Sequence, residues 1–507
     1  MKNAVSRRDF LKKAGLATSG LVLGGMFPNL SARSESSAKQ VFGTNDKVNL
    51  ACVGISNRGG EILREFNKTG LANIVALCDV DLDSKGCRKT IAEFPKARLF
   101  RDFREMFDKM GGDIDAVSVG TPDHSHFPIC MMAMALGKHV YVEKPMARTF
   151  YEAELMMRAA QKYAKVVTQV GNQGHSGENY FQFKAWKEAG IIKDVTEITA
   201  HMNGARRWHP WNPDIKQYPP AETIPSGMDW DTWLMTVRHH DFNSKYHNGN
   251  WRCWYDFGMG ALGDWGAHIL DTAHEFLDLG LPYEIDPIKL EGHNDYFFPM
   301  ASTIKFRFPK RGSMPPVDVT WYDGVNNIPP VPEGYGVSEL DPNIPLVAGG
   351  KIQPAKLNPG KIIYSKDLIF KGGTHSSPLH IIPEEKAKAF CREKGIGIGD
   401  TAMEIIRLKN NASDNFLQVV TPLNPVEVLA KIPECEAIVV TGQKAMDTLI
   451  ATLPPVEEPK VGSYSRFTLS SRIFHLYRMP SSSRAYPKPL EEKAAVYKQM
   501  FEDLKMI

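Results

Sequence analysis

Seven cysteines are all that the 507 residues contain, and their odd count shows no paired framework, so a disulfide scaffold is excluded. Cys52 and Cys78 fall inside apolar runs and are expected as buried free thiols. No His/Cys cluster with ligand spacing appears, and no metal is expected. Charge of one sign is lacking as well. With 61 Lys and Arg against 58 Asp and Glu the formal net charge is +3, too weak a field on this length to predict nucleic-acid binding. What is present is a globular composition, 43% hydrophobic and 23% charged, enough for sizeable cores in two to three domains.

Near the start, Ser6-Arg7-Arg8-Asp9-Phe10-Leu11-Lys12 precedes a modest apolar run from Ala14 to Met26 and a candidate cleavage site after Leu30-Ser31-Ala32. The run is too short and glycine-rich for a membrane span, so residues 1–33 are expected to be a cleaved twin-arginine signal rather than an anchor. That route carries folded proteins and suits one that takes up a cofactor before leaving the cytoplasm. A periplasmic or otherwise exported location is expected, with no span after cleavage.

From Val48 the pattern alternates strand and helix. Val48 to Val53 is an apolar strand, and Gly54-Ile55-Ser56-Asn57-Arg58-Gly59-Gly60 is a turn into a helix expected from Glu61. A dinucleotide turn needs Gly at the bend, Gly where backbone meets pyrophosphate, and Gly where helix packs on strand. Gly54 and Gly59 fill the first and third places; Ser56 stands in the second. Ile74 to Cys78 form the second strand, ending at Asp79. A carboxylate there accepts hydrogen bonds from a ribose and repels a 2′-phosphate, favouring NAD over NADP; Asp81 is the substitute. Strands at 98–100, 116–119, 140–142 and 166–170 complete a doubly wound parallel sheet, and Thr149 to Glu152 is a capping box.

The stretch Val140-Tyr141-Val142-Glu143-Lys144-Pro145 ends a short buried strand with a carboxylate, an amine and a rigid imide, at the sheet edge where ligands collect. Upstream stands Gly120-Thr121-Pro122-Asp123-His124-Ser125-His126, and downstream Gly263-Asp264-Trp265-Gly266-Ala267-His268. Asp264 and His268 lie four apart in a segment that reads as a largely buried helix, so both reach one small molecule. Together these motifs resemble the Gfo/Idh/MocA family of NAD(P)-dependent oxidoreductases over residues 47 to about 385.

The resemblance implies a Rossmann domain over 45–170 and a substrate domain over 171–385 with an open, mostly antiparallel sheet whose face covers the site. It implies Lys144, Asp264 and His268 as the catalytic set. The cofactor would be held by Gly54, Ser56, Arg58, Gly59, Asp79, Thr121, Pro122, His126, Glu143 and Lys144, although His126 reads equally well as a capping or core histidine. The substrate would be a sugar or glycoside, the cofactor NAD, and a homo-oligomer is compatible.

The second domain is less periodic. Residues 197–202, 302–308 and 317–322 alternate as half-buried strands, and residues 325–360 read as an irregular loop. Trp208, Trp211, Trp251, Trp254 and Trp265 are core by default, with a stacking role on a sugar ring as the alternative. From Ala389 the family pattern stops. Gly395 to Thr401, the strand Ala437 to Val440 running into Thr441-Gly442-Gln443, and Met479-Pro480-Ser481-Ser482-Ser483-Arg484 resemble the later half of a uracil-DNA glycosylase superfamily domain. The earlier half of that pattern is missing, so residues 389–507 are expected to be a partial α/β segment and nucleic acid is not expected as a partner.

The expected activity is hydride transfer between a sugar CH-OH carbon and the nicotinamide. The alternatives are a NAD-dependent glycoside hydrolase of the same fold, or an impaired fusion with a glycosylase-like tail.

Overall fold

The computed structural model describes residues 47–202, 215–247, 249–324, 327–335, 358–375, 377–393, 395–397, 399, 401–407, 417–480 and 490–506. The expected signal at 1–33, Trp208, Trp211 and Ser481 to Arg484 lie outside these residues, as does most of the loop at 325–360. The chain divides into two compact units, one of residues 1–332 and 336–380, the other of residues 333–335 and 381–507.

The first unit opens with β1 (Val48–Val53), α1 (Asn57–Lys68), β2 (Ala72–Cys78), α2 (Lys85–Glu93), β3 (Arg98–Phe100), α3 (Phe103–Met110), β4 (Ala116–Val119), α4 (Asp123–Ala135), β5 (His139–Glu143), α5 (Phe150–Lys162) and β6 (Thr168–Gly171). The strands form one sheet in the order β3-β2-β1-β4-β5-β6, with parallel pairing throughout. The order reverses between β1 and β4, and a nucleotide crevice opens at such a switch point. Apolar runs make these strands because both faces are covered by helices: Ala51, Val53, Val117, Val119, Val140 and Val142 share one buried cluster with α3 and α4. Where sequence reading expected a helix from Glu61, α1 begins at Asn57. Ser56 is already its extended N-cap and Asn57 takes φ 43, so the glycine turn is shorter than its composition suggests. The closing strand begins at Thr168, since Val166 serves the turn after α5, its N–H donating to the Tyr163 carbonyl, while the Val167 carbonyl accepts from the Val140 N–H of β5. The capping box of α5 is present, with Thr149 and Glu152 bonding each other's backbone.

After α6 (Glu178–Glu188) comes a seven-stranded mixed sheet of β7 (Val195–Met202), β8 (Glu284–Glu291), β9 (Ala301–Phe308), β10 (Val317–Asp323), β11 (Gly360–Ser365), β12 (Ile369–Gly372) and β13 (Leu379–Ile382), in the order β13-β12-β11-β7-β10-β9-β8. Only the β7/β10 pairing is identified as parallel. The strands β8, β11, β12 and β13 were not expected. β8 is an exposed edge strand without clean alternation and with a proline inside, and β12 and β13 are four residues each, too short to show a period.

The second unit holds α7 (Glu384–Glu393), an antiparallel pair of β14 (Ala402–Arg407) and β15 (Leu417–Pro422), α8 (Pro425–Lys431), β16 (Ala437–Thr441), α9 (Gln443–Ile450), β17 (Ser463–Leu469), β18 (Arg472–Met479) and α10 (Leu490–Asp503). β16 runs parallel to β18 in a three-stranded sheet over Leu429, Val440, Met446, Phe467, Phe474 and Leu476.

Candidate active site

Gly54 ends β1 with φ +79, a conformation that side chains rarely adopt, and a Cβ there would lie 2.8 Å from the Gly120 carbonyl and the Thr121 methyl. On Gly59 a Cβ would come within 1.8 Å of the Gly54 oxygen, and on Gly120 within 2.6 Å of the Gly59 Cα. The three glycines therefore interlock β1, α1 and β4. Ser56 is accommodated in the second place because its hydroxyl packs at Gly86 of α2, where a Cβ would lie 2.0 Å from the Ser56 Oγ. Its side chain does not cap α1.

Asp79 follows β2 as expected and accepts from the Ile55 N–H at 3.0 Å and the Asp81 N–H at 3.1 Å. It thus ties the glycine turn to β2 while each oxygen keeps acceptor capacity. Arg58 reaches across from α1, its Nε 3.3 Å from Glu143 Oε1. Burial raises the Glu143 carboxyl above its usual range and Arg58 offsets this. The Thr121 hydroxyl is buried and has no partner among the described residues, and Pro122 caps α4 in extended conformation. A glycine contact that admits no Cβ, a helix N-terminus left uncapped by a side chain and a buried orphan hydroxyl fit a dinucleotide. His126 does not belong with them. It is 1% exposed, and its ring nitrogens face the Pro145 and Thr121 carbonyls at 2.8 Å each. Burial pushes it down to about 4, so the ring is neutral and its single N–H donates to one of these two carbonyls, which makes it a core histidine.

Lys144 closes β5 and is held from the other domain. Its Nζ donates to the Asp264 carbonyl at 2.6 Å and to Asp264 Oδ1 at 3.0 Å, with side-chain exposures of 12% and 5% for the pair. Desolvation lowers the Lys144 ammonium below its ordinary value and Asp264 works against that. Asp264 lies in a π-helical turn, Leu262–Gly266, rather than in the regular helix expected, and His268 follows in a short α-turn, Ala267–Ile269. Gly263 permits the wide turn, because a Cβ there would lie 2.2 Å from the Met259 Cβ. His268 Nδ1 lies 3.1 Å from the Gln173 carbonyl, which fixes the tautomer with the proton on Nδ1 and leaves Nε2 as an acceptor. Burial, then the positive charge of Lys144 and of His375, pushes the ring down to about 3. The structure thus brings Lys144, Asp264 and His268 into one cluster.

Two groups escaped sequence reading. Arg252 Nη1 lies 3.4 Å from Asp264 Oδ1 and 3.5 Å from Asp123 Oδ1; Arg252 sits in a tryptophan-rich stretch without motif spacing, although Asp123 was in plain view beside Thr121 and Pro122. His375, after β12, packs on His268 with ring centres 4.2 Å apart and the ring planes tilted by 33°. Trp254 is fully buried and Trp251 nearly so, which makes them core, while Trp265 stands against His268 and His375. A cavity of about 890 Å³ is lined by Lys144, Met146, Gly263, Ala267 and Leu270, but neither Asp264 nor His268 is on its wall. It lies along the small-residue face of the segment.

Residues 48–171 match the Gfo/Idh/MocA family domain described as the oxidoreductase family NAD-binding Rossmann fold, and residues 187–296 match that family's C-terminal alpha/beta domain. Two stretches of the chain thus match the two domains of the Gfo/Idh/MocA oxidoreductase family. Among curated relatives, a glycosyl hydrolase family 109 protein of Solibacter usitatus is 31% identical over 211 residues, 39% of this chain and 46% of the relative. An alpha-N-acetylgalactosaminidase of Shewanella oneidensis is 30% identical over 219 residues, 40% of this chain and 47% of the relative. The chain spans about half the length of the curated relatives it matches. Among solved structures, the WlbA dehydrogenase of Chromobacterium violaceum in complex with NADH and UDP-GlcNAcA has 15% identity and a TM-score of 0.44, covering 70% of this chain and 83% of that one. A NAD-binding protein of Listeria innocua has 15% identity and a TM-score of 0.42, covering 77% and 88%. The resemblance of the tail to a uracil-DNA glycosylase domain finds no counterpart in these matches.

Proposed function

We propose that this protein is a NAD-dependent oxidoreductase acting on a CH-OH carbon of a sugar or glycoside. The observation that carries the reading is the Lys144–Asp264 contact beside a His268 whose Nδ1 is committed to the Gln173 carbonyl. His268 Nε2 takes the substrate hydroxyl proton and, being a weak base, passes it on rather than keeping it. Lys144 sets positive charge beside the developing alkoxide. Asp264 orients the hydroxyl and holds Lys144 in place. The turn from Gly54 to Gly59 and the start of α1 would hold the pyrophosphate, and Asp79 a ribose, which disfavours NADP. Thr121, Pro122 and Glu143 would border the nicotinamide. The cofactor, when bound, supplies the hydride-accepting ring. A screen of glycosides against the NAD-loaded protein, followed by nicotinamide absorbance, tests the reading. If no sugar or glycoside reduces bound NAD, it fails.

A second reading is favoured by the names of the curated relatives. In it hydride would pass transiently from the sugar to the bound cofactor while the same residues handle the proton, the aglycone would leave by elimination, water would add in its place, and hydride would return to the sugar. NADH formed per sugar consumed separates the two, near one for net oxidation and near zero for hydrolysis.

Residues 1–33 we read as a twin-arginine signal and the location as periplasmic, on the paired arginines and the short apolar run. The tail we read as a remnant of a uracil-DNA glycosylase domain; the order β16, α9, β17, β18, with β16 parallel to β18, supports it. Without its earlier half, no uracil excision by the full-length protein is expected, and release of free base from uracil-containing DNA would refute this.

A further inference from the structure

Lys144 and Asp264 are the visible end of a longer buried chain of charge. Asp123, the first residue of α4, is 2% exposed. Its Oδ1 faces Arg252 Nη1 at 3.5 Å, the same nitrogen lies 3.4 Å from Asp264 Oδ1, and that oxygen accepts from Lys144 at 3.0 Å. Two carboxylates thus share one guanidinium, and one of them shares an ammonium. Charge-assisted N–H···O bonds close to about 2.7–2.9 Å, so Arg252 stands between two acceptors without closing on either. The guanidinium is held there from one face by the Trp251 ring, 4.3 Å from its carbon, and its Nε is buried without a partner among the described residues. With both carboxylates ionised the four groups sum to zero charge; with Asp123 protonated they sum to +1.

We propose that Asp123 is a positioning residue of the oxidoreductase site, which gives up its proton to solvent when positive charge enters and thereby draws Arg252 from Asp264 and leaves Asp264 to Lys144. The inference rests on the NAD-dependent reading, because the oxidised nicotinamide is the positive charge and its reduced form carries none. Asp123 is poised for this exchange: burial raises its carboxyl to about 7, with Arg252 and Lys144 opposing, Asp264 reinforcing, and the Met259 N–H opposing. On its own helix the adjacent His124 and His126 are both pushed down to about 4 by burial and stay neutral. Among the described residues, the charged groups acting on it from other elements are Arg252, Lys144 and Asp264.

The test counts protons. NAD⁺ is titrated calorimetrically into the full-length protein near pH 7 in buffers of different ionisation enthalpy, and NADH likewise. The parent should release a fraction of a proton per NAD⁺ bound and none with NADH, whereas Asp123→Asn should release none with either. Equal release from parent and variant overturns the proposal.

A second measurement needs no cofactor. A carboxyl whose folded value is raised makes the protein lose stability as pH climbs from its ordinary range, near 4, to about 7. The melting temperature of Asp123→Asn should therefore gain on the parent by several degrees across that window and hold level above it. A flat difference overturns the proposal whatever the cofactor does. Failure of the parent to bind NAD⁺ would sink the oxidoreductase reading, and the linked proton release with it, while the melting difference still separates a titrating Asp123 from one that only packs.

Discussion

Changing Asp264 to Asn removes the countercharge of Lys144 with almost no change of shape. At the 3.0 Å separation of Lys144 Nζ and Asp264 Oδ1, two unit charges attract by about 5 kcal/mol at an effective dielectric of 20. Breaking a buried pair costs about 3–5 kcal/mol in practice. The ammonium retains the backbone carbonyl of residue 264 at 2.6 Å, which places the loss at the low end, about 3 kcal/mol, or roughly a hundredfold in rate if it falls on the transition state. The pH dependence should change as well. Asp264 holds the Lys144 ammonium up against desolvation, so its loss lowers that group further, and activity that needs the charged amine should fall away at lower pH in the variant than in the parent. The assay is single-turnover hydride transfer, read by nicotinamide absorbance across pH, beside Lys144→Met. A variant that transfers hydride within about threefold of the parent, with an unmoved pH profile, would refute the idea that this pair works in the reaction.

His268→Gln should lower hydride transfer by about 10²- to 10⁴-fold while NAD affinity, read by fluorescence titration, stays within a few-fold; because burial holds His268 near 3, no inflection from it should appear above about pH 5. Asp79→Ala should narrow the preference for NAD over NADP, and tighter NADP binding by the parent would contradict the role of Asp79; the variant should also lose roughly 1–3 kcal/mol of stability, since two backbone N–H groups lose their acceptor. Gly120→Ala should weaken NAD binding at least tenfold, because the new methyl meets the Gly59 backbone at 2.6 Å; unchanged affinity would show that the glycine contact does not shape the cofactor crevice.

The Rossmann half was legible because burial on both faces turns its strands into continuous apolar runs, and because turns such as Gly54 leave a residue type that has few other uses. That Lys144, Asp264 and His268 come together was legible through local motifs. Arg252 and His375 were not, since each reaches the cluster by tertiary packing from a segment with no period of its own. The edge strand β8 stayed hidden for the opposite reason: exposed along most of its length, it has no buried face to impose alternation. His126 shows the limit of motif reading, because a histidine inside a motif can be buried against backbone carbonyls.

The wide turn at Leu262–Gly266 makes the site sensitive to chain length in a way that residue identity does not reveal. A π-turn accommodates one residue more than an α-turn over the same rise, so it acts as a spacer that sets the angular offset between the segments on its two sides. Deleting a single residue here would let the helix relax to regular geometry without touching Asp264, Trp265 or His268. Every side chain beyond the deletion would nevertheless swing about the axis, carrying His268 away from the Gln173 carbonyl while Asp264 stayed near Lys144. Insertions and deletions at this turn are therefore a route by which homologous chains with the same polar residues could come to act on differently shaped substrates.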